Sequence, residues 1–417
     1  MKNTLEKNAY LITIGDELLI GQVTDTNSKW IAEQLTGLGI KVKRIISVQD
    51  EEQEIIDALD EATDKADIII TTGGLGPTVD DITKKTFAKF LHKKMIFNQN
   101  FFDKVKEYVK KRGHKIDDML FNYSHFPEGT IFLKNSVGSA PGMLFNYKGK
   151  KIFALPGVPP EMKSIFTEEI EPILKKDNNG FYIIKKTVLT SGEIEAALAE
   201  KLKDIVNDLP QHISFAYLPN LGRVRLRITA KGEDKEILEK EVESVIEKIK
   251  NRIGEYIFGY DDDTLEHALG VILKNKGLTL ATAESCTGGM IAHKITSVPG
   301  SSEYFKGSIV AYSNEIKEKI LNVQHLTLQN HGAVSEETVI EMVKGAIKVI
   351  ETDLAIASSG IAGPSGGTPT KPVGTIWIAA GNKDKIVTKK LQLGNNRIKN
   401  IETSTVFAMD LLRKFLI

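Results

Sequence analysis

Residues 66–83, ADIIITTGGLGPTVDDIT, carry the pattern that decides the fold. The run Ala66–Thr72 is almost continuously apolar, as expected of a parallel strand buried on both faces. It ends in Gly73, Gly74 and Gly76, and the chain then reads as a helix over Asp81–Leu91. The same rhythm lies on either side. Upstream, Tyr10–Ile14 reads as a strand ending at Gly15, and Asn27–Leu38 as a helix with Trp30, Ile31, Leu35 and Leu38 on one face. Lys41–Val48 reads as a strand and Glu51–Thr63 as a helix. Downstream, the strand Lys151–Leu155 leads into Pro156-Gly157-Val158-Pro159-Pro160. Such alternation predicts an α/β domain, over residues 1–174, built on an open and mostly parallel sheet with helices on both faces.

The polar stretch Lys175–Gly180 marks a boundary. Beyond it come a strand (Ile183–Leu189), a helix (Glu193–Val206), two strands (Ile213–Tyr217 and Arg223–Ala230) about the turn Asn220-Leu221-Gly222, and a helix (Asp234–Ile253). This pattern predicts a small α+β domain over residues 175–260. Asp261-Asp262-Asp263 then forms an acidic linker, and Thr264 is placed to cap the next helix. A second α/β domain is expected over residues 261–417. Its strands are Leu278–Ala283, Ser308–Tyr312, Asp353–Ser358 and Gly374–Ala380, with helices opening near Thr287, over Glu336–Ile350 and near Arg397.

At roughly 100–200 residues per domain, 417 residues accommodate these three units. Lys+Arg and Asp+Glu both number 55 and no long basic run occurs, so nucleic acid is not an expected partner. Arg223, Arg225 and Arg227 fall on one face of a strand, which a solvated outer face explains. Cys286 is the lone cysteine, which excludes an intrachain disulfide and fits a reducing cytoplasm. The start, MKNTLEKNAYLITIG, reads as a polar tail entering a strand. No stretch approaches the roughly 20 apolar residues that span a bilayer, so a cytoplasmic protein without membrane contact is expected.

Chemistry gathers in loops at strand ends, where open α/β sheets bind ligands. In the first domain these are Gly15–Gly21, the Gly73-Gly74-Leu75-Gly76 turn, and Ser139-Ala140-Pro141-Gly142 with Leu155–Met162. Glycines let backbone N–H groups approach a phosphate, and a helix start adds its dipole. Asp80 and Asp81 stand at the rim, where carboxylates can hold a divalent metal or simply cap the helix. In the last domain, Ala283-Glu284-Ser285-Cys286-Thr287-Gly288-Gly289 joins a strand to a helix whose orphan N–H groups could stabilise an oxyanion. Ala311-Tyr312-Ser313-Asn314, followed by Lys317, ends the next strand. Ser358-Ser359-Gly360-Ile361-Ala362-Gly363 opens a long loop at a third. Cys286 is the better nucleophile by chemistry, and a packing residue by base rate. A serine served by a desolvated lysine needs no histidine, and His293 reads as a surface residue.

Taken together, GDELLIGQVTDTNS, TTGGLGPTVDD, SAPGM, LPGVPPEM, AESCTGG, AYSNEIK, HGAVS, SGIAGPSGG and KPVGTIW resemble the CinA family over essentially the whole chain. The resemblance implies an N-terminal molybdopterin-binding-like α/β domain, a KH-like middle domain and a C-terminal α/β deamidase domain. It implies hydrolysis of nicotinamide mononucleotide to nicotinate mononucleotide and ammonia, with no cofactor. Ser285 would be the nucleophile, Lys317 the base and Tyr312 an orienting residue. Thr287, Gly288, Asn314, Ser359, Gly360, Gly363 and Arg397 would bind substrate, although Gly394-Asn395-Asn396-Arg397 has one residue more than the family's Gly-Asp-Arg. In the N-terminal domain it implies a metal-dependent ADP-ribose pyrophosphatase site at Gly73, Gly74, Gly76, Asp50, Asp80 and Asp81, with Asp81 on a divalent metal ion. The middle domain lacks the Gly-x-x-Gly loop with which KH modules clamp nucleic acid. A homodimer is the expected assembly. The competing reading is a competence-associated molybdopterin-binding-like or scaffold protein without deamidase activity.

Overall fold

A computed structural model describes residues 7–78, 81–111, 118–177 and 180–417. The polar tail expected over residues 1–6, Asp80, and residues 178–179 of the polar boundary lie outside the described residues. The chain divides into two compact units. One ends at Ile184 and takes in Ala230–Leu238; the other is Lys185–Thr229 with Glu239–Ile417.

In the first unit the strands are β1 (Asn8–Ile14), β2 (Lys41–Val48), β3 (Ile68–Thr72), β4 (Met95–Phe97), β5 (His125–Pro127), β6 (Ile131–Leu133), β7 (Gly142–Tyr147) and β8 (Lys150–Leu155). The main sheet runs β2-β1-β3-β8-β7-β6, while β4 and β5 pair separately. Its first four strands are parallel, and β7 and β6 add an antiparallel edge. Alternate residues of β1 face opposite layers. Tyr10, Ile12 and Ile14 pack with Ile55, Leu59 and Phe87; Ala9 and Leu11 pack with Ile31, Leu35 and Met162. Helices therefore cover both faces, as the apolar run of β3 demands. Because β1, β3 and β8 are parallel, the loops opening at Gly15, Gly73 and Pro156 emerge at one end of the sheet.

Four more strands, β9 (Tyr182–Ser191), β10 (Ile213–Asn220), β11 (Arg223–Gly232) and β12 (Ile257–Tyr260), form a sheet in the order β10-β11-β9-β12. The C-terminal domain contains β13 (Leu280–Glu284), β14 (Phe305–Val310), β15 (Leu354–Gly360), β16 (Thr375–Gly381) and β17 (Ile386–Gln392), ordered β14-β13-β15-β16-β17. β13 is parallel to both neighbours, and β16 and β17 are antiparallel additions. One face is alanine-rich. Ala281, Ala283, Ala355 and Ala357 receive Val339, Met342 and Val343 of the helix Glu336–Ile350. The other face carries Leu280, Ile356, Ile376 and Ile378 against Leu265, Leu269 and Met409. Among the described residues no helix is long and apolar enough to cross a membrane.

Candidate active site

The register of the C-terminal sheet builds the site. Glu284 at the end of β13 lies opposite Val310 of β14 and Ser358 of β15. The next residues of all three strands are therefore neighbours. Ser285 is fixed there by its backbone N–H, which donates to Ser358 O at 2.9 Å. Lys317 lies on the short helix Asn314–Lys319, capped by Ser313. Its chain runs back under the strand end, and only 1% of the residue is exposed. The Nζ donates to Ser285 Oγ at 3.0 Å and to Ala311 O at 2.8 Å. Burial holds the ammonium pKa below its ordinary value. Arg397, whose like charge would act in the same direction, is not among the causes of that shift; desolvation is.

Cys286 follows the serine but faces the other way, into the apolar cluster with Leu280, Ile291 and Ile376. Burial pushes its thiol up to about 12, so it is a packing residue with little thiolate at neutral pH. His293 is exposed, as its sequence position suggests.

The helix after Ser285 opens at Met290, three residues later than expected, and its start is not free. Buried Glu284 accepts from the N–H groups of Gly289 (3.0 Å), Ile291 (3.0 Å) and Ala292 (2.8 Å). It also accepts from Thr287 Oγ1 at 2.7 Å, and that hydroxyl lies 2.6 Å from Ser358 Oγ. The donors expected to face an oxyanion are thus mostly committed to this internal carboxylate. Among the described residues the N–H group of Thr287 has no hydrogen-bond acceptor, while that of Cys286 lies against its own thiol. Glu284 escaped sequence reasoning because an acidic residue at a strand end ordinarily reads as solvated. Its neighbours Ala281, Thr282 and Ala283 were the available sign that this position is buried.

The remaining expected residues divide into rim and support. Tyr312 is 61% exposed, and Arg397 donates from Nη2 to its hydroxyl at 2.9 Å and from Nη1 to Gly363 O at 3.0 Å. The extra residue before Arg397 therefore leaves the guanidinium at the rim beside Tyr312. Gly288 and Asn314 are also exposed at the rim. Ser359 is buried, its hydroxyl given to Ala333 O at 2.6 Å. Gly360 admits no side chain because a Cβ would collide with Ile376, and Gly363 has φ +91° with a Cβ position blocked by Val373. Ser359, Gly360 and Thr287 thus shape the loops from behind.

In the first unit the glycine loop is closed upon itself. Gly73 (φ +112°) and Gly74 (φ +63°) pass too close to Ile14 O and Thr83 Oγ1 for any Cβ. Asp81 accepts from the N–H groups of Gly76 and Thr78, each at 2.8 Å, and from the Thr78 hydroxyl. These are the backbone donors that a phosphate was expected to meet. Asp50 lies beside the loop, and burial, with Asp16, Glu17 and Asp81 nearby, raises its carboxyl pKa. No group of three His, Cys, Asp or Glu suited to a metal ion occurs among the described residues. Both Asp81 oxygens accept hydrogen bonds from the loop, and Asp80 lies outside the described residues. Two further residues went unnoticed in the sequence. Lys84 is buried, donates to Tyr123 O at 2.7 Å and lies over the Tyr123 and Phe126 rings. Burial lowers its pKa to about 7. The buried Tyr123 hydroxyl has no hydrogen-bond partner among the described residues. A cavity of about 580 Å³ nearby is lined by Phe101, Lys104, Phe132, Asn135 and Ser139, among others.

The fold and site define a class: a three-domain protein with a molybdopterin-binding-like first domain and a buried serine–lysine pair at the strand ends of its last. Models for three families match in chain order. They are a "Probable molybdopterin binding domain" over residues 10–176, the "Damage-inducible protein CinA KH domain" over 185–259 and the "CinA C-terminal domain" over 262–416. A CinA-like protein of Cytophaga hutchinsonii is 44% identical over 406 residues, covering 97% of both chains. One of Kosmotoga olearia is 40% identical over 409 residues, covering 98% of this chain and 99% of its own. The chain belongs to the CinA family. Among solved structures, the CinA protein of Thermoplasma acidophilum is 34% identical, covering 40% of this chain and 98% of its own, with a TM-score of 0.38.

Proposed function

We propose that the C-terminal domain hydrolyses the carboxamide of nicotinamide mononucleotide, releasing ammonia and nicotinate mononucleotide. The observation that carries this reading is the 3.0 Å contact between the Nζ of buried Lys317 and the Oγ of buried Ser285. A lysine whose pKa is lowered by burial is the base such a serine needs. The Ala311 carbonyl takes one Nζ hydrogen, which leaves the neutral amine's lone pair free to turn toward Oγ. In the first step Ser285 Oγ bonds to the amide carbon while Lys317 accepts the hydroxyl proton. The negative oxygen so formed has the N–H group of Thr287 as its available donor. Lys317 returns the proton to the departing nitrogen, the C–N bond breaks and ammonia leaves. Water then attacks the acyl ester, Lys317 takes its proton, and the carboxylate product is released with Ser285 restored. Arg397 and Tyr312 at the rim are suited to an anionic or polar part of the substrate.

The test is a coupled ammonia assay on the purified chain with nicotinamide mononucleotide. Ammonia release that disappears in Ser285→Ala supports the reading. No release from a folded chain would reject it and favour a scaffold role instead.

For the N-terminal domain we infer binding of a nucleotide-like ligand, with ADP-ribose as the candidate. The cavity of about 580 Å³, with Phe101 and Phe132 for a planar ring and Lys104 for an anion, favours it. Calorimetric titration of ADP-ribose, with and without magnesium, tests it; the absence of any heat would reject it.

A further inference from the structure

The first turn of the last helix, Arg397–Leu416, is held by a residue that no motif singles out. Asn400 is 3% exposed, although it lies one turn from the exposed Arg397. Its Nδ2 donates to Ala362 O at 2.9 Å and to Gly394 O at 2.8 Å. Those two carbonyls belong to different segments. Ala362 precedes Gly363, whose carbonyl Arg397 itself binds; Gly394 opens the turn that leads into the helix. One amide group therefore pins together the loop after β15, the turn after β17 and the helix that presents the guanidinium. Asn396 caps the same turn by accepting from Lys399 N at 3.0 Å, and Ser404 bonds the Asn400 carbonyl. An asparagine suits the place because its NH2 offers two donors in one plane, while leucine of similar size offers none.

We propose that Asn400 is the positioning residue for Arg397: it sets the guanidinium against Tyr312 and Gly363, and through it the affinity of the site for its substrate. This rests on reading the domain as an amidohydrolase that engages substrate at its rim. Asn400 is too far inside to touch substrate itself, so its effect belongs to binding rather than to the serine–lysine chemistry.

The experiment pairs two readouts on the full chain. In a crystal structure of Asn400→Leu, Arg397 is expected to leave Tyr312 and Gly363, whatever the activity. In the ammonia assay, Asn400→Leu is expected to raise KM about tenfold and change kcat less than about threefold, as loss of uniform binding does. In an Arg397→Ala background the same substitution is expected to have almost no further effect on KM, because the two residues act as one unit. Asn400→Ser serves the same cycle if the leucine variant does not fold. Arg397 unmoved in the variant crystal, or KM effects that simply multiply in the double variant, would overturn the proposal. If the wild-type chain releases no ammonia, the amidohydrolase reading falls, and the crystal arm still decides whether Asn400 places Arg397.

Discussion

Ser285 and Cys286 are adjacent, and the backbone sends their side chains in opposite directions. One meets Lys317, the other enters the apolar core. Ser285→Ala and Lys317→Ala are each expected to lower ammonia release by about a thousandfold or more, as loss of a nucleophile or its base does. Cys286→Ala is expected to keep most of the activity. The reverse pattern in kcat/KM would make the thiol the nucleophile. Lys317 also imposes a pH dependence of known sign. It must be neutral to act as base, so kcat/KM is expected to fall as pH drops below its folded-state pKa. For stability, a lysine with a lowered folded pKa penalises the folded state fully below that pKa. The penalty shrinks as pH rises toward the unfolded value and is gone above it. The stability of Lys317→Met relative to wild type is therefore expected to decline between neutral and alkaline pH, as measured by urea melts across that range. A constant difference would mean that Lys317 is not desolvated.

Glu284 acts on a whole element. Three backbone donors at the start of the helix Met290–Thr296 end on it, one buried and two part-buried, so Glu284→Ala leaves them unpaired. A loss of about 3 kcal/mol or more is expected in chemical denaturation. A loss below about 1 kcal/mol would show that water replaces the carboxylate. In the first unit, Gly73→Ala is expected to cost about 2 kcal/mol or more, since φ is +112° and a methyl would meet Ile14 O. The strands that carry these loops were legible because β1, β3, β13 and β15 are buried on both faces and leave short apolar runs ended by glycine or serine. The edges were not legible. β6 has only three residues, and β17 mixes lysines with its apolar residues because one side lacks a neighbour. Of the candidate site, the motifs marked the loops that bring Ser285 and Lys317 together. They could not reveal which polar groups are spent internally, as at Asp81, Thr287 and Glu284, because that depends on partners far along the chain or on the turn's own geometry. Asn400 was invisible for the same reason, its carbonyl partner Ala362 lying 38 positions away.

In the second unit, the middle and last domains are joined through the far end of the last helix. Buried Asp410 accepts from Ser191 Oγ at 2.6 Å and from Arg413 Nε at 2.8 Å. Arg413 in turn donates to Glu255 O at 2.8 Å and Ile257 O at 3.0 Å. Gly222, at the tip of the β10–β11 turn, lies against Val406 and Phe407. A fragment Asp261–Ile417 retains its own core and site but loses these partners, so it is expected to release ammonia and to melt below the full chain. Asp410→Ala is expected to cost about 3–5 kcal/mol in the full chain, where it strands a buried guanidinium, and far less in the fragment, where water reaches it. Equal losses in the two would show that the middle domain does not bury the pair. The helix that ends in this clasp begins at Arg397, and its 20 residues make a rod about 30 Å long. Thermodynamic reciprocity then gives the rod a second reading. If substrate at its first turn quiets the helix, the same free energy must tighten the clasp at its last, and anything that grips residues 185–259 must in return sharpen the site. Amide hydrogen exchange across β9 and β12 is expected to slow when substrate is bound to the inactive Ser285→Ala chain, and unchanged exchange there would show that the rod carries nothing between its ends.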